Sequence, residues 1–378
     1  MDHSVEAGGA ELALARVLEN EERGWIADLA IPCADSDGAF AGIDSVGSAR
    51  IIRVGAPQAP ASSSGPVMRA IRVFAAALRQ ARALRATVAV DEYDVIHANS
   101  SRSALYTALA LIGTKVPLVV HLRDQVTAEA LGAVGLLAFR AVVMRRAHFL
   151  IANSQATAST VVGWAGRDRR VTVIPSPIGI RVADEVRESS NELLTIGMVA
   201  RLSKWKGQEL LLEAFRRSGL DKRAKLVFYG DAAFGEDQYA RRLFALVGEL
   251  RLENVEFAGF VSDIEAAIDS LDICVQYSER PEPLGQNILQ YLARGKPVIA
   301  AAEGGPVEWI VNDVTGLLIE PRNINALAEA LTRMSHDAQL RQRLSEAAIT
   351  VSSSLPTAAS VSSEMAQVFR SAIRVERN

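Results

Sequence analysis

The sequence predicts two doubly wound α/β domains, each built on a parallel sheet covered by helices. The chain has 378 residues, more than a single ordinary hydrophobic core organises. From about residue 90 onward, short β-branched runs alternate with amphipathic stretches, which is the order of strand and helix in a parallel sheet. Runs such as TIGMVA and KLVFYG are continuously apolar, as is typical of strands buried on both faces.

The first element that the sequence predicts is a helix, ELALARVLEN. No apolar strand precedes the glycine pair Gly8-Gly9, although a parallel sheet normally feeds such a turn from a strand. We therefore expect the first sheet to lack its first strand, unless the protein extends further upstream. The later strands are predicted, in chain order, at WIADLAIP, VIHAN, PLVVHL, HFLIANS, VTVIP, LLTIGMV, KLVFYG, VEFAGF, LDICVQ and PVIAA.

The domain boundary is predicted in VIPSPIGIRVADEVRESSNE, residues 173–192, where two prolines and a polar stretch separate two series of strands. We expect a first domain over residues 1–178 and a second over residues 179–357. The last segment, residues 358–378, follows a proline and a serine-threonine cluster and predicts an amphipathic helix.

Composition excludes several classes of protein. The net charge of -3 and the pI near 6.1 lack the basic excess of a nucleic-acid binder. The only cysteines, Cys33 and Cys274, form no CxxC or Cys/His cluster, so we expect neither a disulfide framework nor a structural zinc site. No apolar run suits a membrane span and the N-terminus lacks a signal-peptide pattern, so the expected location is the cytoplasm.

The stretch IGMVARLSKWKGQELLLEAF, residues 196–215, predicts an anion site. A strand ends at Val199, Arg201 and Lys206 follow in a short loop, and Gly207 opens a helix. Free amides, the helix dipole and two cations at the carboxyl end of a parallel strand all favour phosphate. Two solvated loop cations are an equally good interpretation of this stretch alone.

The stretch ERPEPLGQNILQYLARGKPVIA, residues 279–300, predicts a second site. Glu282 precedes Pro283, the favoured first position of a helix that we expect to continue to Gly295. Gly285 weakens a first turn, which suggests close approach of a ligand to that backbone. Glu282 and Gln290 are eight residues apart, about 12 Å along a helix, and could hold one ligand at two points. The alternative is an ordinary acidic helix start.

Three weaker signals complete the prediction. Gly304-Gly305 ends a strand before a helix start, which allows close approach of a ligand or forms a plain tight turn. His121 ends the strand PLVVHL, where open α/β sheets bind ligands, although a lone histidine is more often structural. Residues 66–86 form a basic apolar helix that could lie peripherally on an anionic membrane, or face the core with its arginines in solvent.

In their order along the chain, these motifs resemble those of the family 4 retaining glycosyltransferases. The match runs from GGAE at residues 8–11 through HLRD, IANSQATASTVV, VIPSPIGI, ARLSKWKG, FYGD, VEFAGFVSDI, EPLGQNILQ and GG-P-EWI to TGLLIEP. The resemblance implies the GT-B fold, two facing Rossmann-like domains with a nucleotide-sugar cleft between them, and a final helix that returns to the first domain.

The resemblance also implies roles for individual residues. Arg201 and Lys206 would hold the donor diphosphate without a metal, Glu282 would bind sugar hydroxyls as a positioning group, and His121 would lie near the transferred sugar. These four are the predicted catalytic residues. The predicted donor-binding residues are Gly8, Gly9, Gly197, Gly230, Phe260, Val261, Leu284, Gly285, Gln286 and Gln290.

One position departs from the family pattern, which usually has a second glutamate where this chain has Gln290. That carboxylate normally binds the ribose, and an amide offers only neutral hydrogen bonds, which are weaker. The predicted function is transfer of a sugar, with retention, from a nucleoside-diphosphate sugar to a glycan, lipid-linked or small-molecule acceptor. UDP is favoured over GDP, and no metal or other cofactor is expected.

The alternative is a non-catalytic nucleotide-sugar-binding subunit, since Gln290 and the short first sheet could each impair transfer. A nicotinamide-dependent dehydrogenase is disfavoured, because no GxGxxG follows a predicted strand with an acidic residue about 20 positions later.

Overall fold

The computed structural model describes residues 1–6, 8–44, 49–56, 66–164, 171–186, 193–232 and 235–377. The chain divides into two compact units, Met1–Pro177 together with Pro356–Asn378, and Ile178–Leu355. The sequence placed the breaks after residues 178 and 357. Of the predicted boundary stretch 173–192, residues 187–192 lie outside the described part of the chain.

Twelve strands are named within the described residues, and every ladder between them is parallel. They are β1 (Asp28–Ile31), β2 (Arg50–Arg53), β3 (Ile96–Ala98), β4 (Leu118–Leu122), β5 (Phe149–Ala152), β6 (Val171–Val173), β7 (Leu194–Val199), β8 (Ala224–Tyr229), β9 (Val255–Gly259), β10 (Ile273–Gln276), β11 (Val298–Ala301) and β12 (Leu317–Ile319). All ten predicted strands are confirmed, and the sequence missed β2 and β12.

The α-helices cover these sheets. They are α1 (Gly9–Glu19), α2 (Pro66–Thr87), α3 (Ser101–Ala110), α4 (Ala128–Ala138), α5 (Met144–Arg146), α6 (Gln155–Ser159), α7 (Gln208–Ser218), α8 (Asp237–Glu249), α9 (Ile264–Asp269), α10 (Gln286–Ala293), α11 (Pro306–Trp309), α12 (Ile324–His336), α13 (Ala338–Ser352) and α14 (Ala358–Arg377).

The unit Ile178–Leu355 contains one six-stranded sheet in the order β12-β11-β10-β7-β8-β9. Alternate residues of its strands pack into two different apolar clusters, so the sheet is covered on both faces: Val275 faces one cluster and Cys274 the other. The direction in which strands are added reverses at β7, which has β8 on one side and β10 on the other. Loops that follow β7 and β10 therefore flank a topological switch point, where open α/β sheets bind ligands.

The other unit contains the ladder β3-β4-β5-β6 and the separate pair β1-β2. Met1 and Asp2 lie between β1 and β3. The Asp2 nitrogen donates to the Ala30 carbonyl (3.0 Å), and the Asn99 nitrogen donates to the Met1 carbonyl (2.9 Å). Two residues thus occupy the position of the strand that the sequence analysis expected to be missing, and their backbone groups link the two ladders.

Helix α14 packs within this first unit. Its buried residues recur with helical spacing, and they share an apolar cluster with Val119 of β4 and Ile151 of β5. The helix residues of this cluster are Val361, Met365, Val368, Phe369 and Ala372.

Helix α2 contains the basic stretch 66–86, which the sequence left open between a membrane contact and a solvent-facing helix. In the part whose side chains are described, its apolar side is buried at Ala77, Ala81 and Leu84. Its exposed side carries Arg72, Arg79, Arg82 and Arg85, whereas the side chain of Arg69 lies outside the described residues. Apart from the half-exposed Phe74, α2 therefore presents arginines to solvent. Among the described helices, none has the length and apolar character needed to cross a membrane.

Candidate functional site

The candidate site lies at the switch point beside β7, and a close backbone contact builds it. Gly207 has a φ of +79°, and a β-carbon there would overlap the carbonyl oxygen of Tyr277, which follows β10. Glycine therefore allows the β7–α7 loop to pack directly on the end of β10. The Glu279 nitrogen donates to the Trp205 carbonyl (2.8 Å) and fastens the two loops together. This packing brings Lys206 to residues 278–282.

Lys206 and Glu282 form an ion pair there. Lys206 Nζ lies 3.0 Å from each carboxylate oxygen of Glu282, whose residue is only 7% exposed. Ser278 Oγ donates to Glu282 Oε2 (2.7 Å), and Gln276 Nε2 donates to Ser278 Oγ (2.8 Å). The carboxylate is thus held from two sides. Gln276 Oε1, also buried, has no hydrogen-bond partner among the described residues.

Aromatic and cationic groups surround the lysine. Lys206 Nζ lies 3.9 Å from the centre of the Trp205 ring, and the Arg280 guanidinium lies 4.3 Å from it. Arg201 is half-buried in the same β7–α7 loop, and its carbonyl accepts a hydrogen bond from Gln208 Nε2 (2.8 Å). The loop therefore gathers several cations next to the start of α7, an arrangement that favours an anion.

The predicted position of Glu282 at the mouth of a helix is wrong. Helix α10 begins at Gln286, and Gly285, with a φ of +80°, is its N-cap. Glu282 instead lies in an extended segment that bridges to Gly304, and the Gly305 nitrogen donates to the Glu282 carbonyl (2.7 Å). Glu282 and Gln290 consequently do not share one helix, and the interpretation of Glu282 as an acidic first-turn residue is excluded.

The Gly304-Gly305 pair packs against this segment. A β-carbon on Gly304 would overlap the backbone of Glu282, and one on Gly305 would overlap the backbone of Leu284. The predicted alternatives were close approach of a ligand and a plain tight turn, whereas the structure shows both glycines in close contact with the protein's own backbone. The pair fixes the backbone that carries Glu282 and the buried Leu284.

Gln286 and Gln290 both face the start of this unit. Their Nε2 atoms lie 3.3 Å and 3.2 Å from the Ile178 carbonyl oxygen, to which both donate. A glutamate at residue 290 could not donate this hydrogen bond while ionised, because a carboxylate has no donor. The amide at a position where the family usually has a carboxylate thus has a structural partner in this chain.

The other predicted donor-binding residues of this unit lie on neighbouring strands. Gly197, in the middle of β7, packs against the buried Leu271 side chain, whose methyl groups a β-carbon there would displace. Gly230, after β8, has a φ of +135° and lies against the Ala200 carbonyl oxygen in the same way. Phe260 follows β9 and is 73% exposed, and Val261 beside it is half-buried. Phe260 and Gly230 therefore lie at the same carboxyl edge as Lys206.

His121 lies in the other unit, at the carboxyl end of β4, and is fully buried. Its Nδ1 is 3.3 Å from Nε2 of His97. Burial, the nearby Arg123 and His97 hold the pKa of His121 well below 6.5. The imidazole is therefore neutral at physiological pH, and its Nε2 has no hydrogen-bond partner in the described part of the chain.

Sequence analysis missed the polar network beside His121. The Arg123 guanidinium donates to Asn99 Oδ1 (2.8 and 3.1 Å) and to Ser176 Oγ (2.9 Å), and Asn99 Nδ2 donates to Asp2 Oδ2 (2.6 Å). Burial lowers the pKa of Arg123 to about 10, still above physiological pH. Asn99 and Arg123 follow β3 and β4, so polar residues after adjacent strands were the signal that could have revealed the network.

Glu11 belongs to the same region. It is buried, and burial followed by the charge of Asp2 raises the pKa of its carboxyl to about 7. A β-carbon on Gly8 would lie 2.5 Å from Glu11 Oε2, whereas one on Gly9 would meet nothing within 4 Å. A side chain at residue 8 would therefore have to displace the carboxyl end of the Glu11 side chain.

Comparison with known proteins gives matches over nearly the whole chain. A family model described as glycosyl transferase 4-like domain matches residues 8–177, and one described as glycosyl transferases group 1 matches residues 182–351. Among curated relatives, the lipopolysaccharide core biosynthesis glycosyltransferase LpsE of Rhizobium meliloti is 27% identical over 207 residues, 53% of this chain and 58% of its own. The chain spans about half the length of the curated relatives that it matches.

Solved structures match over almost the full length. Alr3699/HepE of Anabaena, in complex with UDP and glucose, gives a TM-score of 0.79 at 26% identity and covers 98% of both chains. Sucrose-phosphate synthase of Thermosynechococcus elongatus gives 0.76 at 20% identity, covering 97% of this chain and 92% of that one. The fold of the chain is the GT-B fold, as predicted.

Proposed function

Because the chain belongs to the group 1 glycosyltransferases with the GT-B fold, we propose that it transfers a sugar, with retention, from a UDP-sugar to a glycan, lipid-linked or small-molecule acceptor. The observation that carries this proposal is the Lys206–Glu282 pair at the switch point of the six-stranded sheet. The structures of Alr3699/HepE with UDP and with UDP-glucose favour UDP as the nucleotide.

The cations of the β7–α7 loop would bind the diphosphate. Lys206 and Arg201 lie just before α7, where the helix dipole also favours negative charge. In the structure Lys206 is paired with Glu282, so an incoming diphosphate would compete for its ammonium group. Two positive side chains can offset most of the diphosphate charge, which supports the expectation that no metal is needed.

Glu282 would bind hydroxyl groups of the donor sugar rather than attack it. Both of its oxygens already accept hydrogen bonds, from Lys206 and from Ser278. A carboxylate restrained in this way suits the positioning of hydroxyl groups, and each well-placed group of this kind contributes several kcal/mol to a transition state. The unpartnered Oε1 of Gln276 adds an acceptor close by.

The reaction that fits these roles proceeds on one face of the sugar. The bond from the anomeric carbon to the phosphate oxygen breaks, and the acceptor oxygen bonds to that carbon from the same side. The acceptor proton passes to the leaving phosphate, so no protein base is required. The family role of His121 near the transferred sugar stays a prediction, and its neutral ring can exchange hydrogen bonds with hydroxyls.

Calorimetric titration with UDP and GDP, with and without EDTA, tests the proposal. We expect UDP to bind with micromolar affinity, unchanged by EDTA, and Lys206→Ala and Arg201→Ala each to weaken it by about tenfold or more. Arg217→Ala is the matched control, since this exposed arginine on α7 binds Asn325 instead. A folded protein that binds neither nucleotide would overturn the proposal.

A non-catalytic sugar-nucleotide-binding subunit is the second candidate. The observation that favours it is the engagement of the Gln290 amide by the Ile178 carbonyl, which leaves no carboxylate at that position for a ribose. The two candidates differ in turnover. Slow release of UDP from UDP-glucose, abolished by Glu282→Ala, supports the transferase, and UDP binding without any turnover supports the subunit.

A further inference from the structure

Helix α4 (Ala128–Ala138) presents apolar residues to solvent. Its sequence is AEALGAVGLLA, and none of its residues is buried. Val134 is 46% exposed and Leu137 67% exposed. The helix continues through a π-helical turn, Phe139–Val143, whose Phe139 and Val143 are buried. Leu131 and Leu136 of α4 are partly buried and pack against the core of this unit, whereas Val134 and Leu137 face solvent. An exposed helix face normally carries polar residues instead.

Aromatic and cationic groups extend this surface. The Arg140 guanidinium lies 3.9 Å from the centre of the Trp164 ring, and Val162, two residues earlier, is exposed. Leu137 precedes Arg140 by three residues along the helix, so the two share a face. We name the surface formed by Val134, Leu137, Arg140, Val162 and Trp164 the α4 patch.

The charge along the segment that forms the α4 patch is mostly positive, with one exposed acidic residue, Glu129, in the first turn of α4. Residues 130–164 contain Arg140, Arg145 and Arg146 and no aspartate or glutamate, within a chain whose net charge is -3. Arg140 and Arg145 are exposed, whereas Arg146 donates to the Val116 carbonyl (2.7 Å). Exposed apolar side chains flanked by arginines, with the half-buried Trp164 beside them, are a combination that binds anionic lipid surfaces.

Helix α2 is also basic, but it differs from α4 in the burial of its apolar side. Its arginines are exposed, but its apolar side at Ala77, Ala81 and Leu84 is already buried. Of these two basic segments, α2 and α4, it is α4 that combines several exposed apolar residues with exposed arginines. The α4 segment also begins six residues after the end of β4, the strand that carries His121.

We propose that the α4 patch docks on the surface of an anionic phospholipid bilayer. Val134, Leu137 and Val162 enter the boundary between headgroups and acyl chains, and Arg140 and Arg145 contact lipid phosphates. Docking places the carboxyl edge of the first unit's sheet close to the bilayer. This inference stands on the exposed residues of α4 and does not depend on the proposed sugar transfer.

Co-sedimentation with vesicles tests the apolar part of the patch. We expect the full chain to pellet with vesicles of phosphatidylcholine containing phosphatidylglycerol, and far less with phosphatidylcholine alone. Val134→Ser/Leu137→Ser should weaken binding by at least about tenfold, since burying each side chain stabilises by more than about 1 kcal/mol. Val311→Ser/Val314→Ser is the matched control, because these valines have the same spacing and are 60% and 49% exposed. The control should bind like the unmodified protein.

A second pair of variants tests the charge. Arg140→Ala/Arg145→Ala should weaken binding about 30-fold, given about 1 kcal/mol for each arginine near an anionic surface. Arg79→Ala/Arg82→Ala on α2 should weaken it by less than about threefold. All variants are compared by circular dichroism melting, so that unfolding is not mistaken for lost binding.

Three results would overturn the inference. The first is that the protein pellets with neither kind of vesicle. The second is that the α4 variants bind vesicles as tightly as their controls, and the third is that the serine substitutions convert a dimer to a monomer in analytical ultracentrifugation. The last result would assign the patch to a contact between two copies of the chain. UDP titration of the same samples keeps the two tests separate. A protein that binds UDP but not vesicles refutes only this inference. A protein that binds vesicles but neither UDP nor GDP refutes only the proposed function.

Discussion

The six-stranded sheet and the ladder β3-β4-β5-β6 each have a positive side chain after the carboxyl end of a strand, but the two side chains are held differently. In the six-stranded sheet, Lys206 contacts Glu282 through one flexible side chain and stays partly exposed. In the other unit, Arg123 is buried and held by Asn99 and Ser176 through three hydrogen bonds. A partly exposed lysine can exchange its partner for a ligand at little cost, whereas a buried guanidinium that loses its partners leaves an uncompensated charge.

We expect this difference to separate a binding site from a scaffold. On the proposed function, the Lys206–Glu282 pair opens when the diphosphate binds. The Arg123 network fixes the ends of β3 and β4 and holds Asp2 in place through Asn99. The four predictions below test this division, beginning with the largest expected effect.

Removal of the buried cation should cost the most stability. Arg123→Met leaves the Asn99 and Ser176 oxygens without their donor and Asp2 and Glu11 without a nearby positive charge. We expect the free energy of unfolding in urea to fall by about 3 to 5 kcal/mol. Arg79→Met on the exposed face of α2 should change it by less than about 0.5 kcal/mol. A loss below about 1 kcal/mol for Arg123→Met would show that the network is not a scaffold.

Neutralising the Glu282 carboxylate of the Lys206–Glu282 pair should affect turnover and not nucleotide binding. Glu282→Gln keeps the shape but loses the charge, so we expect release of UDP from UDP-glucose to slow by about 100-fold. UDP lacks the transferred sugar, so its affinity measured by calorimetry should change by less than about threefold. Glu279→Gln, a nearby carboxylate outside the pair, should leave both quantities within about threefold. Equal losses of turnover and UDP affinity would mean that Glu282 acts only by positioning Lys206.

Sequence patterns were sufficient for most of the fold, because buried parallel strands are continuously apolar and helices alternate with them. The strands that were missed are β2 and β12. Strand β2 is RIIR, with only two apolar residues between charges, and β12 is LLI, a three-residue run. Such short runs carry no periodicity, and only pairing with β1 and β11 defines them. Strands β3 and β6 are equally short but were predicted within longer apolar stretches.

The candidate site was predicted residue by residue, but not its contacts. Lys206 and Glu282 are 76 residues apart, and their contact depends on the close approach of Gly207 to Tyr277. Pro283 predicted a helix start that the structure places at Gln286, because the bridge from Glu282 to Gly304 outweighs the local preference. Asn99 and Arg123 are unremarkable one at a time, and the adjacency of their strands is what joins them.

The scaffold should also respond to pH through Glu11. Burial and Asp2 raise the pKa of its carboxyl to about 7 in the folded protein, above its usual 4.5, so the folded state holds a proton that the unfolded state releases. Stability from this group is complete below pH 4.5 and is lost as the pH rises toward 7. Glu11→Gln removes the effect, so its stability relative to the unmodified protein should rise by about 1 to 3 kcal/mol between pH 5 and pH 8.

The stability of Glu11→Gln has to be compared with that of the unmodified protein at each pH, because His97 and His121 change stability with pH in the opposite direction. Burial lowers the pKa of both well below 6.5, so their protonation in the unfolded state reduces stability as the pH falls below 6.5. Both histidines remain in Glu11→Gln, and their contribution cancels in the difference. Urea unfolding at the two pH values gives that difference, and a value independent of pH would refute the assignment to Glu11.

The smallest effect should come from the hydroxyl that restrains Glu282. Ser278→Ala removes one hydrogen bond to Oε2 but leaves the ion pair with Lys206, so we expect the kcat for UDP release from UDP-glucose to fall about tenfold, with little change in UDP affinity. Ser203→Ala is a matched control. This buried serine of the β7–α7 loop donates a hydrogen bond to a different carboxylate, that of Glu236 (2.9 Å). Both variants lose a serine-to-carboxylate bond and should lose similar stability in urea. If turnover falls equally in both variants, the effect of Ser278→Ala is on stability alone. The Glu282 carboxylate then needs no restraint besides its contact with Lys206.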